Sequence, residues 1–242
     1  MRLDKFLSET GKATRSEAKK AIRGGAVSVN GVCIRQSDAS VDPEKDEIFF
    51  KGELVVYRKY IYVLLNKPDG YVSATEDGRE KTVLDLLPEE MTKQGVFPCG
   101  RLDKNTVGLM LLTNNGDLAH RMLSPKNHVE KKYRFRSKFP LDPEDTLRFE
   151  AGLTLDDGYV TKPAKIELDE GYSSGVITLH EGKYHQIKRM LDALSNKITY
   201  LERISFANLT LADSGLERGE WRYLEEREIS ELERIAGSEC DI

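Results

Sequence analysis

Apolar positions along this chain follow two rhythms, and each change of rhythm marks a new element. Leu3, Phe6 and Leu7 recur at i, i+3 and i+4, one face of a helix that Gly11 ends. Thr14 and Glu17 spell Thr-x-x-Glu, a capping box opening a second helix whose Ala18, Ala21 and Ile22 face inward. Arg15, Lys19 and Arg23 lie four apart on its outer stripe, and Gly24-Gly25 stops it. The rhythm then becomes alternation from Val27 to Ile34 around Asn30-Gly31, which predicts a β-hairpin. A turn over residues 42–46 and a small strand at Ile48-Phe49-Phe50 complete this region. The boundary is expected near Tyr57-Arg58-Lys59, dividing the chain into domains 1–57 and 58–242.

The second domain opens on Tyr60–Leu65, a β-branched and aromatic run that reads as a central strand. Asn66-Lys67-Pro68-Asp69-Gly70 ends it with turn chemistry, and Thr82 caps a short helix from Val83 to Leu87. Leu109–Leu112, bounded by turn residues, predicts a strand buried on both faces. Asn114-Asn115-Gly116 turns the chain into a helix over 117–123, stopped by Ser124-Pro125. Lys131–Arg136 alternates basic with aromatic residues. It reads either as a half-exposed edge strand blocked by charge or as a strand whose aromatic side faces a base. A helix over Leu141–Gly152 and strands over Ala164–Leu168 and Gly175–His180 follow. Beyond them Ile187, Met190, Leu191 and Leu194 make an inward helical stripe beside His185, Lys188, Arg189 and Asp192. The segment after Ala207 carries no motif. The fold class expected is α+β.

Charge changes this picture more than composition does. The 242 residues have a net charge of −4, but residues 1–35 hold eight basic groups against three acidic ones. Residues 213–242 hold ten acidic and four basic groups. The asymmetry suggests a basic RNA-facing end and an acidic solvated tail. No apolar run approaches the ~20 residues of a membrane span, and the charged start is unlike a signal peptide. Cys33, Cys99 and Cys240 form no C-x-x-C pair, so a reducing cytoplasm is the default. His180-Glu181 misses the H-E-x-x-H zinc pattern because position 184 is Tyr. Cys99 reads as a small buried filler. No metal-ligand pattern and no Gly-rich phosphate loop appears, so no metal or cofactor is expected.

Candidate chemistry concentrates around Asp103, on a short loop held by the buried strand. The bland alternative is a surface ion pair between Arg101 and Asp103. The run Gly100-Arg101-Leu102-Asp103-Lys104-Asn105-Thr106-Val107-Gly108, continued by Leu118-Ala119-His120-Arg121 and Ser124-Pro125-Lys126, resembles the catalytic motif of the pseudouridine synthases. The resemblance is to the branch typified by the small-subunit ribosomal RNA enzyme. Asn66-Lys67-Pro68-Asp69-Gly70 and the stretch Glu181–Met190 match further motifs of that family, and residues 1–57 resemble the S4 RNA-binding domain.

The resemblance implies a mixed, mainly antiparallel sheet with flanking helices behind an S4-like module, and isomerisation of uridine to pseudouridine in ribosomal RNA. It makes Asp103 the nucleophile, acting at C1′, at C6 or on a ribose proton. It makes Tyr133 the ring that stacks on the uracil and receives its C5 proton, and Lys188 the cation beside Asp103, with Arg189 the rival for that place. Ile187 and Arg189 would bind substrate, Arg101 would fill the stack vacated by the flipped base, and Lys67 would be structural before it contacts RNA. Arg2, Lys5, Arg15, Lys19, Lys20 and Arg23 would bind RNA backbone. The expected partner is 16S rRNA, free or in an assembling subunit, with the 23S sister branch and a non-catalytic rRNA-binding assembly factor as alternatives. A nucleoside or glycoside hydrolase fits less well, because such enzymes commonly use two carboxylates.

Overall fold

The Thr14 hydroxyl accepts the Glu17 amide at 3.3 Å, and the Glu17 carboxylate accepts the Thr14 amide at 2.8 Å, so the capping box starts a helix where the sequence puts it. A computed structural model describes residues 1–237 of the chain, which divides into two compact units. The first comprises Met1–Ile61 and Leu87–Phe97; the second comprises Tyr62–Leu86 and the chain from Pro98 onward.

In the first unit, α1 (Leu3–Glu9) and α2 (Arg15–Arg23) precede β1 (Val27–Val29), β2 (Val32–Cys33), β3 (Ile48–Phe50) and β4 (Glu53–Leu54). The strands form one sheet in the order β2-β1-β3-β4, every pair antiparallel. Asn30 and Gly31 take φ values of 51° and 80°, the left-handed pair that a two-residue hairpin requires. Leu3, Phe6, Leu7, Ala18, Ile22 and Ile48 form the centre of a small core. The sequence reading did not anticipate β4. Nor did it anticipate that α3 (Glu89–Lys93) joins this unit from the middle of the chain, where Glu90 meets Lys12 at 3.0 Å.

The second unit contains β5 (Tyr62–Lys67), β6 (Phe97–Pro98, whose first residue is counted with the first unit), β7 (Val107–Thr113), α4 (Gly116–Leu123), β8 (Lys131–Ser137), α5 (Asp145–Ala151), β9 (Lys165–Leu168) and β10 (Ser174–Leu179). It continues through α6 (Gln186–Ala193), β11 (Ile198–Phe206), β12 (Leu209–Thr210), α7 (Leu211–Ser214), β13 (Trp221–Tyr223) and α8 (Glu226–Gly237). The sheet runs β13-β5-β7-β11-β8-β10-β9, with β12 on β11. Along that path only β7 and β11 are parallel, so the sheet is mixed and mainly antiparallel. Every residue of β7 is buried, as its unbroken apolar run requires.

Several expectations are corrected. β5 runs on through Asn66 and Lys67 because partners from elsewhere satisfy both side chains: the Asn66 amide donates to the Leu216 carbonyl at 2.8 Å and accepts from Arg218 at 2.7 Å. β8 is no edge strand, since β11 and β10 flank it. Its alternation separates a buried side carrying Tyr133 and Phe135 from an exposed side carrying Arg134 and Arg136. The turn after Thr82 is a 3-10 helix over Val83–Leu86, and the Asp85 carboxylate caps it by accepting the Thr82 amide. α5 starts at Asp145, four residues late. The acidic end is folded through Gly237: β13 pairs with β5, α8 buries Leu232 and Ala236, and Arg222 meets Glu228 at 2.7 Å. The rest of the expected acidic tail, with Cys240, lies outside the described residues. Among the described residues no helix is long and apolar enough to cross a membrane.

Candidate active site

The loop between Gly100 and β7 is held from beneath by a buried ammonium. Lys67, fully buried, donates to the carbonyls of Pro68 at 3.1 Å, Lys104 at 3.0 Å and Thr106 at 2.8 Å. Burial pulls its pKa down to about 8, opposed by the charges of Asp69 and Asp103. Lys67 is thus a structural clamp. Ser73 completes the hold, accepting the Leu102 amide at 3.0 Å and donating to the Leu102 carbonyl at 2.7 Å. The Thr106 amide closes the turn onto the Asp103 carbonyl at 3.0 Å. With its neighbours fixed, Asp103 projects from the loop with its side chain about one quarter exposed.

The start of α6 supplies the opposite side. Lys188 Nζ lies 2.6 Å from Asp103 Oδ2 and donates to Asn105 Oδ1 at 2.9 Å, while His185 Nε2 lies 3.4 Å from Asp103 Oδ1. Of the two basic residues the sequence could not separate, Lys188 therefore touches Asp103. Arg189 reaches instead to Asp156 at 2.6 Å and Asp157 at 2.7 Å, outside the residues that line the pocket.

Glu181 organises this region. Only 5% exposed, it accepts the Tyr159 hydroxyl at 2.7 Å, the Gln186 side-chain amide at 2.6 Å and the Lys162 backbone amide at 3.0 Å. The Gln186 carbonyl oxygen in turn accepts the Lys183 amide at 2.9 Å. Glu181 lines the pocket with Asp103, but each of its oxygens accepts hydrogen bonds that hold the surrounding chain, whereas Asp103 faces the cations of α6.

The resulting cleft, about 490 Å³ including its open mouth, is lined by Arg101, Asp103, Tyr133, Ile187 and Lys188, with Leu179 and Leu201 as apolar walls. Five of the six residues expected to act on substrate are therefore brought together, from the motif loop, β8 and α6. Tyr133 is 9% exposed, its ring turned to the buried side of β8. Cys99 is fully buried and burial raises its thiol pKa to about 11, the behaviour of a filler. Among the described residues no cluster of His, Cys, Asp or Glu could hold a metal.

Sequence reasoning gave no role to His185, Asn105 or Glu181, although all three fall inside the quoted motifs. On the first unit, three of the six basic residues face carboxylates: Arg2 meets Asp4 at 2.9 Å, Lys5 meets Glu9 at 3.3 Å and Lys19 meets Asp4 at 3.9 Å. Arg15, Lys20 and Arg23 are exposed and make no ion pair among the described residues.

Comparison with known proteins bears on the chain as a whole. The family model described as RNA pseudouridylate synthase matches residues 61–193, and the S4 domain model matches residues 1–48. The chain is 46% identical over 232 residues to an uncharacterised RNA pseudouridine synthase of Bacillus subtilis, covering 95% of this chain and 97% of that one. It is 39% identical over 234 residues to ribosomal small subunit pseudouridine synthase A of Haemophilus influenzae, covering 96% and 99%. A crystal structure of a pseudouridylate synthase, 38% identical, superposes with a TM-score of 0.67 over 96% of this chain and 99% of its own.

Proposed function

The chain belongs to the RNA pseudouridine synthase family and carries an S4 domain, and from that premise we propose that it isomerises one uridine of the small-subunit, 16S ribosomal RNA. The pairing of Asp103 with Lys188 at 2.6 Å, in a cleft walled by Tyr133 and Ile187, is the observation that carries this reading. The similarity to small-subunit enzymes over nearly the whole chain supports the choice of 16S over 23S RNA.

Isomerisation breaks the N1–C1′ bond, turns the uracil, joins C5 to C1′, releases the C5 proton and protonates N1. A base inside an RNA helix must first leave the stack, at a cost of a few kcal/mol. Arg101, exposed at the mouth, would fill the vacated place. The released base would lie between Tyr133 and Ile187, where aromatic stacking contributes roughly 1–3 kcal/mol. Asp103 then acts as nucleophile, held in place by the Lys67 clamp and by Lys188. Tyr133 takes the C5 proton. The module over residues 1–57 would hold the RNA by its backbone, leaving residues 58–242 to the chemistry; phosphate contacts position without reading sequence. The cysteines form no C-x-x-C pair, and on the default that spacing gives, a reducing cytoplasm is the proposed setting.

The test is tritium release from transcripts carrying 5-tritiated uridine, with wild type and Asp103→Asn on 16S and 23S RNA. Release from 16S RNA by wild type alone is expected. Release by the Asp103→Asn variant would remove Asp103 from the nucleophile role, and release from 23S RNA alone would move the substrate to the sister branch.

A further inference from the structure

Tyr184 occupies a position that folding does not account for. At 76% exposure it is the most exposed large apolar or aromatic residue among those described, and it packs into no core. Its ring is stacked on His185, with centroids 3.8 Å apart and planes 21° from parallel. His185 in turn places Nε2 at 3.4 Å from Asp103 Oδ1. To hold this pair the backbone at His185 adopts φ 48° and ψ 32°, a left-handed conformation that costs a non-glycine residue of order 1 kcal/mol or more. Such strain persists where the surroundings enforce it, and here the Glu181–Gln186 bond at 2.6 Å and the Gln186–Lys183 bond at 2.9 Å fix the chain on either side. Phe139, Tyr172 and Tyr223 are also exposed, but none lines the cleft or stands next in the chain to a residue that does.

One face of the Tyr184 ring is thus covered by an imidazole that reaches the reactive carboxylate, and most of the rest of the ring is open to solvent. Lys183, next to it in the chain, and Arg101 line the adjoining cleft, positive charge suited to a phosphodiester backbone. We infer that Tyr184 is a stacking platform for the nucleobase adjacent to the flipped uridine. The inference rests on the reading of the chain as an RNA uridine isomerase and adds the neighbouring nucleotide to it. Extruding the target strips one stacking partner from the base on each side, and Arg101 in the vacated place would cover the one on its own side. The Tyr184 face supplies a replacement, so part of the cost of flipping is recovered at the rim. An aromatic face accepts any base, so the platform recognises an unpaired neighbour rather than a sequence.

Tritium release from the 16S transcript, measured as KM and kcat for Tyr184→Ala, Tyr184→Leu, Tyr184→Phe and Tyr184→Trp, tests it. RNA affinity is measured in parallel in an Asp103→Asn background. The Ala and Leu variants are expected to raise KM and weaken RNA binding about five- to a hundredfold, and Phe and Trp to restore both. Exposure of the side chain makes misfolding of these variants an unsuitable explanation, and circular dichroism checks it. If Leu performs as well as Phe, or if the loss falls on kcat alone with RNA affinity intact, the platform is overturned while the isomerase reading stands. If wild type itself releases no tritium from any rRNA, both fall together.

Discussion

A methyl group placed on Gly108 would stand 2.3 Å from the carbonyl oxygen of Arg203. Gly108 also has a φ of 100°, and its partner in the parallel pairing of β7 with β11 is Arg203. The second glycine of the motif therefore permits the close approach of two central strands, five residues after Asp103. Gly108→Ala must push the strands apart or strain the backbone, and is expected to cost about 1–3 kcal/mol, the usual range for overpacking. Equilibrium urea unfolding checks it; a wild-type midpoint would show that the strands part freely.

Lys67 links stability to pH at the same loop. Its folded pKa of about 8 lies below the ordinary 10.5, so between those values the unfolded chain holds a proton that the folded one has lost. Stability contributed by this site should thus rise with pH from about 8 to 10.5, by up to about 3 kcal/mol, and lie level at its minimum below 8. The unfolding free energy of wild type minus that of Lys67→Met isolates it, because Lys131, also lowered to about 8 by burial, is common to both. A difference that stays flat from neutral pH to pH 10 or so would refute the shift. At neutral pH Lys67→Met leaves three carbonyls without their donor and should cost about 2 kcal/mol or more, with kcat falling as the Asp103 loop loosens.

What the sequence disclosed depended on the range of the interaction. The Thr14–Glu17 box and the Asn30-Gly31 turn are local devices, and both fold as read. The apolar run of β7 is equally plain, because a strand buried on both faces leaves little else for its residues to be. β11 went unread: Glu202 and Arg203 interrupt its alternation, and Arg203 is 2% exposed although charged. Its guanidinium Nε donates to the Leu109 carbonyl at 2.7 Å, a partner ninety-four residues away. β8 looked like an edge for the same reason, since nothing within Lys131–Arg136 reveals that β11 will cover it. In the site, the family resemblance brought out Asp103, Tyr133 and the basic pair. It could not choose between Lys188 and Arg189, because the aspartates that draw Arg189 away lie on a distant loop.

That choice has a kinetic consequence. Lys188→Met should lower kcat about 10²–10³-fold, the range for removing one preorganised electrostatic group at a reacting centre. Arg189→Met breaks pairs with Asp156 and Asp157, both exposed, so a stability cost of about 0–1 kcal/mol and a much smaller loss of kcat are expected. Equal losses in single-turnover rate for the two variants would contradict the assignment.

RNA contact by the first unit can be separated from its internal ion pairs. Arg15, Lys20 and Arg23 are exposed without an ion-pair partner among the described residues, whereas Arg2 and Lys19 are engaged with the buried Asp4. Replacing Arg15, Lys20 and Arg23 by Gln should weaken rRNA binding and flatten the slope of log K against log salt by about two. Titrations at several salt concentrations decide it. A weaker complex with an unchanged slope would mean that these side chains do not neutralise phosphates.

Glu181 gives the last prediction. Its hydrogen bond raises the pKa of the Tyr159 hydroxyl to about 12, with burial and the negative charge adding to the effect. Tyr159→Phe should remove a tyrosine titrating near pH 12 from an ultraviolet difference titration and cost about 1 kcal/mol, one hydrogen bond. Glu181→Ala should bring Tyr159 back toward about 10. It also strips the Gln186 amide and the Lys162 N–H of their acceptor, for a total cost of about 2–4 kcal/mol. The stronger consequence is catalytic: without Glu181 the left-handed turn at His185 loses its anchor, and with it the placement of Lys188 against Asp103. Glu181→Ala should therefore lower kcat well beyond Tyr159→Phe, although both Glu181 oxygens are engaged in holding the chain. An Ala variant that keeps wild-type kcat while losing stability would confine Glu181 to the fold.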